Sequence, residues 1–159
     1  MVKATYDKAQ IAKVKAAIRD LSRKQVRVGW FDTAKYDNGT PVAYVATIQE
    51  FGYPEGGIPA RPFMRPTVAN KTNEWKKTLA KGAKMVANGK LTYTQMLSGF
   101  GQSVAGQIAE TISQITTPKL ADATIAARAR KRKSPGVSTK PLVDSGLMIQ
   151  SVSHKVEDV

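Results

Sequence analysis

The segment VAYVATIQEFGYPEGGIPARPFMRP, residues 42–66, decides how this chain divides between helix and extended backbone. Its first ten residues fit a strand or a helix. Val42, Val45 or Ala46, and Ile48 or Gln49 recur at helical spacing. Pro41 suits a helix opening and Gly52 a helix stop, which favours a short helix over 42–51. PEGG at 54–57 then reads as a turn. Beyond it, Pro59, Pro62 and Pro66 fix φ, remove hydrogen-bond donors and push the residues before them into extended geometry. The expectation is a proline-stiffened extended arm over about 53–66. Arg61, Phe63 and Arg65 would share one of its faces and Pro62 and Met64 the other.

Upstream, residues 6–24 place Ile11, Val14, Ile18 and Leu21 on one helical stripe. QVRVGWF, residues 25–31, alternates as a half-buried strand does, and Asp37-Asn38-Gly39 signals a turn. Downstream, residues 67–88 read as a lysine-rich helix with a sparse stripe of Val68, Trp75, Leu79 and Val86. Residues 92–116 form a second long helical seam: Tyr93, Met96 or Leu97, Phe100, Val104, Ile108, Ile112 and Ile115. Gly99, Gly101, Ala105 and Gly106 on that helix would let another helix approach closely. A short helix at ADATIAARAR, N-capped by Asp122, leads into a basic loop over about 128–141, and residues 151–157 alternate as a closing strand. The fold expected is α+β: a small sheet of chain-distant strands, with the N-terminal helix and two longer helices packed on it and the extended arm beside them.

At 159 residues the chain is most simply a single domain with a core of its own. It has no cysteine, no apolar run long enough to span a bilayer, and no signal-peptide core at its N-terminus, which fits a protein made in the cytoplasm and not bound to membrane. The net charge is +13. Three segments carry it: residues 1–30 at +6, 66–90 at +5 and 119–140 at +6. Such an excess points to a polyanion, nucleic acid or an acidic protein surface, with a solvated face that merely keeps the protein soluble as the alternative. The RARKRK run offers Arg128, Arg130, Lys131, Arg132 and Lys133 as a patch facing DNA or an acidic partner. Without a reading helix or stacking platform, any DNA contact would be to phosphates.

Catalytic chemistry finds little support. Asp144, Ser145 and His154 supply the residue types of a triad but lack a nucleophile elbow. One histidine and no cysteine argue against a transition-metal site. The glycines of GFGQSVAG have the wrong spacing for a phosphate loop. The expectation is a non-enzyme with no metal and no cofactor.

Two stretches carry a resemblance. Residues 45–66, with an apolar helix ending in Glu-Phe-Gly, a short turn and Ile-Pro-Ala-Arg-Pro-Phe, resemble a pattern of the tail-completion and neck proteins of long-tailed bacteriophages. PLVDSGLMIQSV, residues 141–152, is similar to the Pro-Leu-Val-Asp-Thr-Gly element near the C-terminus of the same proteins. It includes Pro141, Leu142, Asp144, Ser145 and Gly146, with Ser145 in place of the more usual threonine. The resemblance implies an α+β virion structural protein, located in the neck at the head-tail junction and assembled in the host cytoplasm. Such a protein forms a ring, hexameric or dodecameric, that terminates or completes the tail and joins it to the head connector. The partners implied are other copies of the chain, portal-side connector proteins, the tail tube protein and phage DNA in the channel.

A stiff arm suits the heterologous contacts of a closed ring, because it loses little entropy on docking. On that reading Glu50, Phe51, Arg61, Phe63, Met64 and Arg65 form the subunit interface, with Glu50 the partner of Arg61 within or across subunits. An arm folded onto its own core is the alternative. The competing functions are a free, sequence-neutral DNA-binding protein and an adaptor for an acidic protein.

Overall fold

The computed structural model describes residues 8–21, 23–131 and 138–159. Its elements run α1 (Lys8–Leu21), β1 (Lys24–Gly29), α2 (Val42–Phe51), a 3-10 turn (Pro54–Gly56), α3 (Met64–Ala87), α4 (Tyr93–Gln114), α5 (Asp122–Lys131), α6 (Leu147–Ser151) and β2 (Ser153–Asp158). The strands pair as a two-stranded antiparallel sheet, so the fold is α+β, as the alternation at both chain-distant segments predicts. The chain separates into two compact units. One comprises residues 1–28, 71–104 and 154–159, the other 29–70 and 105–153, with the division falling inside both long helices.

In the first unit the sheet is held in register by Lys24 Nζ to Asp158 at 2.8 Å and Gln25 Nε2 to Glu157 at 3.0 Å. Its inner positions, Val26 and Val156, pack with Leu79 and Val86 of α3 on a cluster of Tyr93, Met96 and Leu97 from α4. Trp75 and Phe100 meet edge to face at 6.2 Å. Close approach occurs at two glycines. A Cβ on Gly101 would lie 2.6 Å from Val26 and 2.8 Å from His154, so this glycine admits the sheet, not another helix. A Cβ on Gly82 of α3 would meet Met96 at 2.5 Å, and Gly82 is where the two long helices come close. Gly99 and Gly106, expected to serve that purpose, have nothing near a Cβ position. Val68, placed by sequence on the packed stripe of α3, is 48% exposed. The side chains of Val14, Ile18 and Leu21 lie outside the described residues, and Ile11 is exposed.

In the second unit Val42, Ala46, Phe63, Ile108, Ile112 and Met148 form the buried core. Trp30 closes it: its ring meets Phe63 edge to face at 5.5 Å, and its Nε1 donates to Met148 O at 2.8 Å. The arm differs from expectation at both ends. Pro54–Gly56 coils into a 3-10 turn, and Tyr53 and Ile58 pair across it. Helix α3 begins at Met64, so Pro66 sits in its first turn, where the missing N–H is no loss. Arg61 and Phe63 do share one face, the buried one, with Pro62 exposed between them. Arg65, already helical, leaves that face.

Candidate functional site

The EFG triplet at the end of α2 organises the second unit. Each of its residues has a distinct task. Glu50 turns inward, and its carboxylate accepts backbone N–H bonds from Phe63 at 2.7 Å, Met64 at 2.9 Å and Arg65 at 3.2 Å, with the Arg65 Nε at 2.9 Å. These backbone donors belong to the opening of α3, where a helix leaves N–H groups without internal partners and favours negative charge. Burial by itself would raise the Glu50 pKa. The Arg65 guanidinium and the three N–H bonds outweigh it and hold the carboxyl below its ordinary value. The sequence offers Arg61 as a candidate partner for Glu50, but the structure pairs it with Arg65, because Glu50 lies over the N-terminus of α3.

Phe51 turns outward and is 63% exposed. The Arg65 guanidinium, bound to Glu50, lies over its ring at 5.0 Å, a cation–π pair at the surface. Tyr44 and Tyr53 are exposed as well, Tyr44 on the same face of α2. Gly52 completes the triplet. Its φ is +79°, and a Cβ there would lie 2.9 Å from Ala60 N, so the position excludes other residues twice over.

Arg61 is only 4% exposed. Its backbone N–H donates to Gln49 O at 2.7 Å, while Nε reaches Pro118 O at 2.8 Å, Nη2 reaches Lys119 O at 3.0 Å and Nη1 reaches Gln49 Oε1 at 3.2 Å. Phe63 is fully buried. Phe63 is closed to a neighbour and Arg61 shows only the little surface it turns to a cleft of the same unit, and of the expected interface set only Phe51 and Arg65 are exposed, with Met64 half-buried. The arm folds onto the core of its own unit, since Phe63 gains burial there and its N–H finds Glu50.

The C-terminal motif lies in the same unit. Pro141 is buried, Leu142 has φ +63°, and Gly146, at φ +77°, precedes α6 and accepts from Gln150 N. The Ser145 hydroxyl accepts from Leu147 N at 3.3 Å, a role threonine would share. Asp144 pairs with Arg128 at 3.5 Å. Arg128, expected in a DNA-facing patch, is instead a brace. Its Nη1 donates to Ser138 O, Lys140 O and Val143 O, and its side chain is 12% exposed. Those carbonyls belong to a segment outside helix and strand, which is why a guanidinium is drawn in to satisfy them. Arg130 is exposed; the Lys131 side chain, Arg132 and Lys133 lie outside the described residues.

Both motifs line one cleft of about 570 Å³, with Gln49, Ile58 and Arg61 from the first and Leu142, Asp144 and Met148 from the second. Tyr36 also lines it, its hydroxyl pKa raised by burial and then by the Asp144 charge. Nothing local in the sequence marks Tyr36, Lys119 or Thr124 as neighbours of Arg61; only the tertiary fold assembles them. His154 binds the Ser98 hydroxyl at 2.9 Å, and its ring packs beside Gly101, a structural setting. No group of three or more His, Asp or Glu is arranged for a metal among the described residues, and no described helix is long and apolar enough to cross a membrane. No known protein family, curated protein or solved structure matches the chain.

Proposed function

We propose that this is a structural protein of the phage neck, which forms a ring at the head-tail junction, completes the tail and joins it to the head connector. The observation that carries the reading is the joint placement of the two resembling blocks: far apart in sequence, they line one cleft in one unit. The surface offered to a neighbouring subunit is the exposed face of α2 with its clamped partner, Tyr44, Phe51 and Arg65, and not the arm itself. Aromatic residues and arginine are the types that dominate interface energetics, and rigid ones lose little entropy on docking.

The test is assembly. Negative-stain images of the protein alone or on tail tubes should show rings, and Phe51→Ser with Tyr44→Ser should leave a folded chain that forms none. Normal rings and a normal yield of tailed particles from that double variant would overturn the assigned surface. A second reading, a free sequence-neutral DNA-binding protein, draws on the first unit, where Lys77, Lys81 and Lys84 form an exposed row on α3 opposite Trp75, Leu79 and Val86.

A further inference from the structure

Arg61 and Arg128 line the same cleft, and neither guanidinium is saturated by the described residues. Three of the five N–H groups of Arg61 go to Pro118 O, Lys119 O and Gln49 Oε1. In Arg128 the three carbonyls take Nη1 and Asp144 faces Nε, which leaves Nη2. The charges are close enough that Arg128 lowers the Arg61 pKa, after the larger effect of burial. Lys119 lines the cleft too, while Asp144 is the one carboxylate on its described wall. The positive charges there are only partly compensated. Val45, Ile58, Leu142, Leu147 and Met148 supply an apolar part of the wall, beside the polar Tyr36, Gln49, Thr124 and Ser145. A few convergent polar groups in an apolar cleft of a few hundred cubic ångströms are the usual makings of a ligand site.

The chemistry selects the occupant. A guanidinium pair matches an oxyanion, and the apolar wall requires an apolar group beside it. A duplex phosphate is carried on a rod too wide to bring its charge to a side chain as buried as Arg61. An acidic side chain on an extended strand has the required reach. We propose that the cleft binds an extended peptide segment of another protein molecule, carrying Asp or Glu next to an apolar residue. The carboxylate lies between Arg61 and Arg128 and the apolar side chain against Ile58, Leu142 and Met148. The proposal rests on the assembly reading only in taking the occupant to be protein.

The experiment uses the full chain and does not depend on ring formation. The Met148 methyl resonance is followed during titration with the blocked peptide acetyl-Leu-Glu-Leu-amide, its Gln counterpart, and inorganic phosphate. Saturable shifts are expected with the Glu peptide, with binding at least about tenfold weaker for the Gln peptide and for phosphate. Thr124, on the cleft wall, is replaced in turn by Glu and by Gln. Thr124→Glu supplies a competing carboxylate and should abolish binding, whereas Thr124→Gln, of similar size, should retain it. Phosphate binding as well as the Glu peptide would overturn the peptide assignment in favour of a small-anion site. Equal binding of the Glu and Gln peptides, or no shift with any probe, would overturn the role of the two arginines.

Discussion

The two units differ in how many cations they hold and in what the best-placed of them do. Residues 29–70 and 105–153 hold ten basic and seven acidic residues, net +3, and there Arg61, Arg65 and Arg128 are each committed to carbonyls or a carboxylate. Residues 1–28, 71–104 and 154–159 hold fifteen and five, net +10. There the α3 cations Lys76, Lys77, Lys81 and Lys84 face solvent, as do Lys8 and Lys15 of α1. Arginine, with five donors in a planar fork, organises loops that have no regular hydrogen bonding, while lysine on a flexible stem stays hydrated on helix surfaces. Arg128 shows that a cation within a dense basic run can be committed to its own chain. The run beginning at Arg128 opens with a brace and continues with the exposed Arg130, while Lys77, Lys81 and Lys84 stand exposed at helical spacing on α3.

This contrast can be broken most sharply at Glu50. Glu50→Ala removes the acceptor of three backbone N–H groups and of Arg65, leaving buried donors unsatisfied, and should cost about 3–5 kcal/mol in urea unfolding. Its carboxyl has a folded pKa below the unfolded value of roughly 4.3. The stability it contributes is thus present above that unfolded value and lost as pH falls through the lower folded one. Glu50→Gln should flatten this acid limb; an unchanged acid profile would show that the carboxylate is not the source. Phe63→Ala, which empties the site beneath Trp30, should cost a similar ~3–5 kcal/mol.

The glycines of α4 give smaller effects of opposite sign. Gly101→Ala forces a Cβ into Val26 and His154 and should destabilise by about 1–3 kcal/mol. Gly106→Ala meets nothing and gains helix propensity, so it should stabilise by about 0.5–1 kcal/mol. Equal thermal shifts for the two would contradict the packing described for Gly101. The smallest stability effect belongs to the lysine row. Changing Lys77, Lys81 and Lys84 to Glu together should move folding stability by less than about 1 kcal/mol. If the row binds nucleic acid, duplex affinity should fall, with the salt slope reduced by about 0.9 for each phosphate that is no longer neutralised. Anisotropy titrations at several salt concentrations read this directly.

Much of the local structure is written in the sequence. Helical spacing with Pro41 and Gly52 at its ends yields Val42–Phe51, and period-two alternation finds both strands. These signals are local, arising from side-chain periodicity and from fixed backbone preferences. The arm shows where such signals stop. Its prolines dictate extended backbone between the turn and α3, but they are silent on what that backbone faces. That Arg61 and Phe63 turn inward depends on Pro118, Lys119, Trp30 and Glu50 meeting them from other parts of the chain. The partner of Glu50 is likewise not legible, because Arg61 and Arg65 are equally plausible until the start of α3 is known. The sequence by itself determined most of the elements, the absence of cysteine and the strong positive charge. Only the tertiary structure decided which cations are committed, that Phe51 and not Phe63 is offered to solvent, and that a cleft with two guanidiniums exists. Burial and ion pairing are properties of residues distant in sequence, and no short window contains both partners.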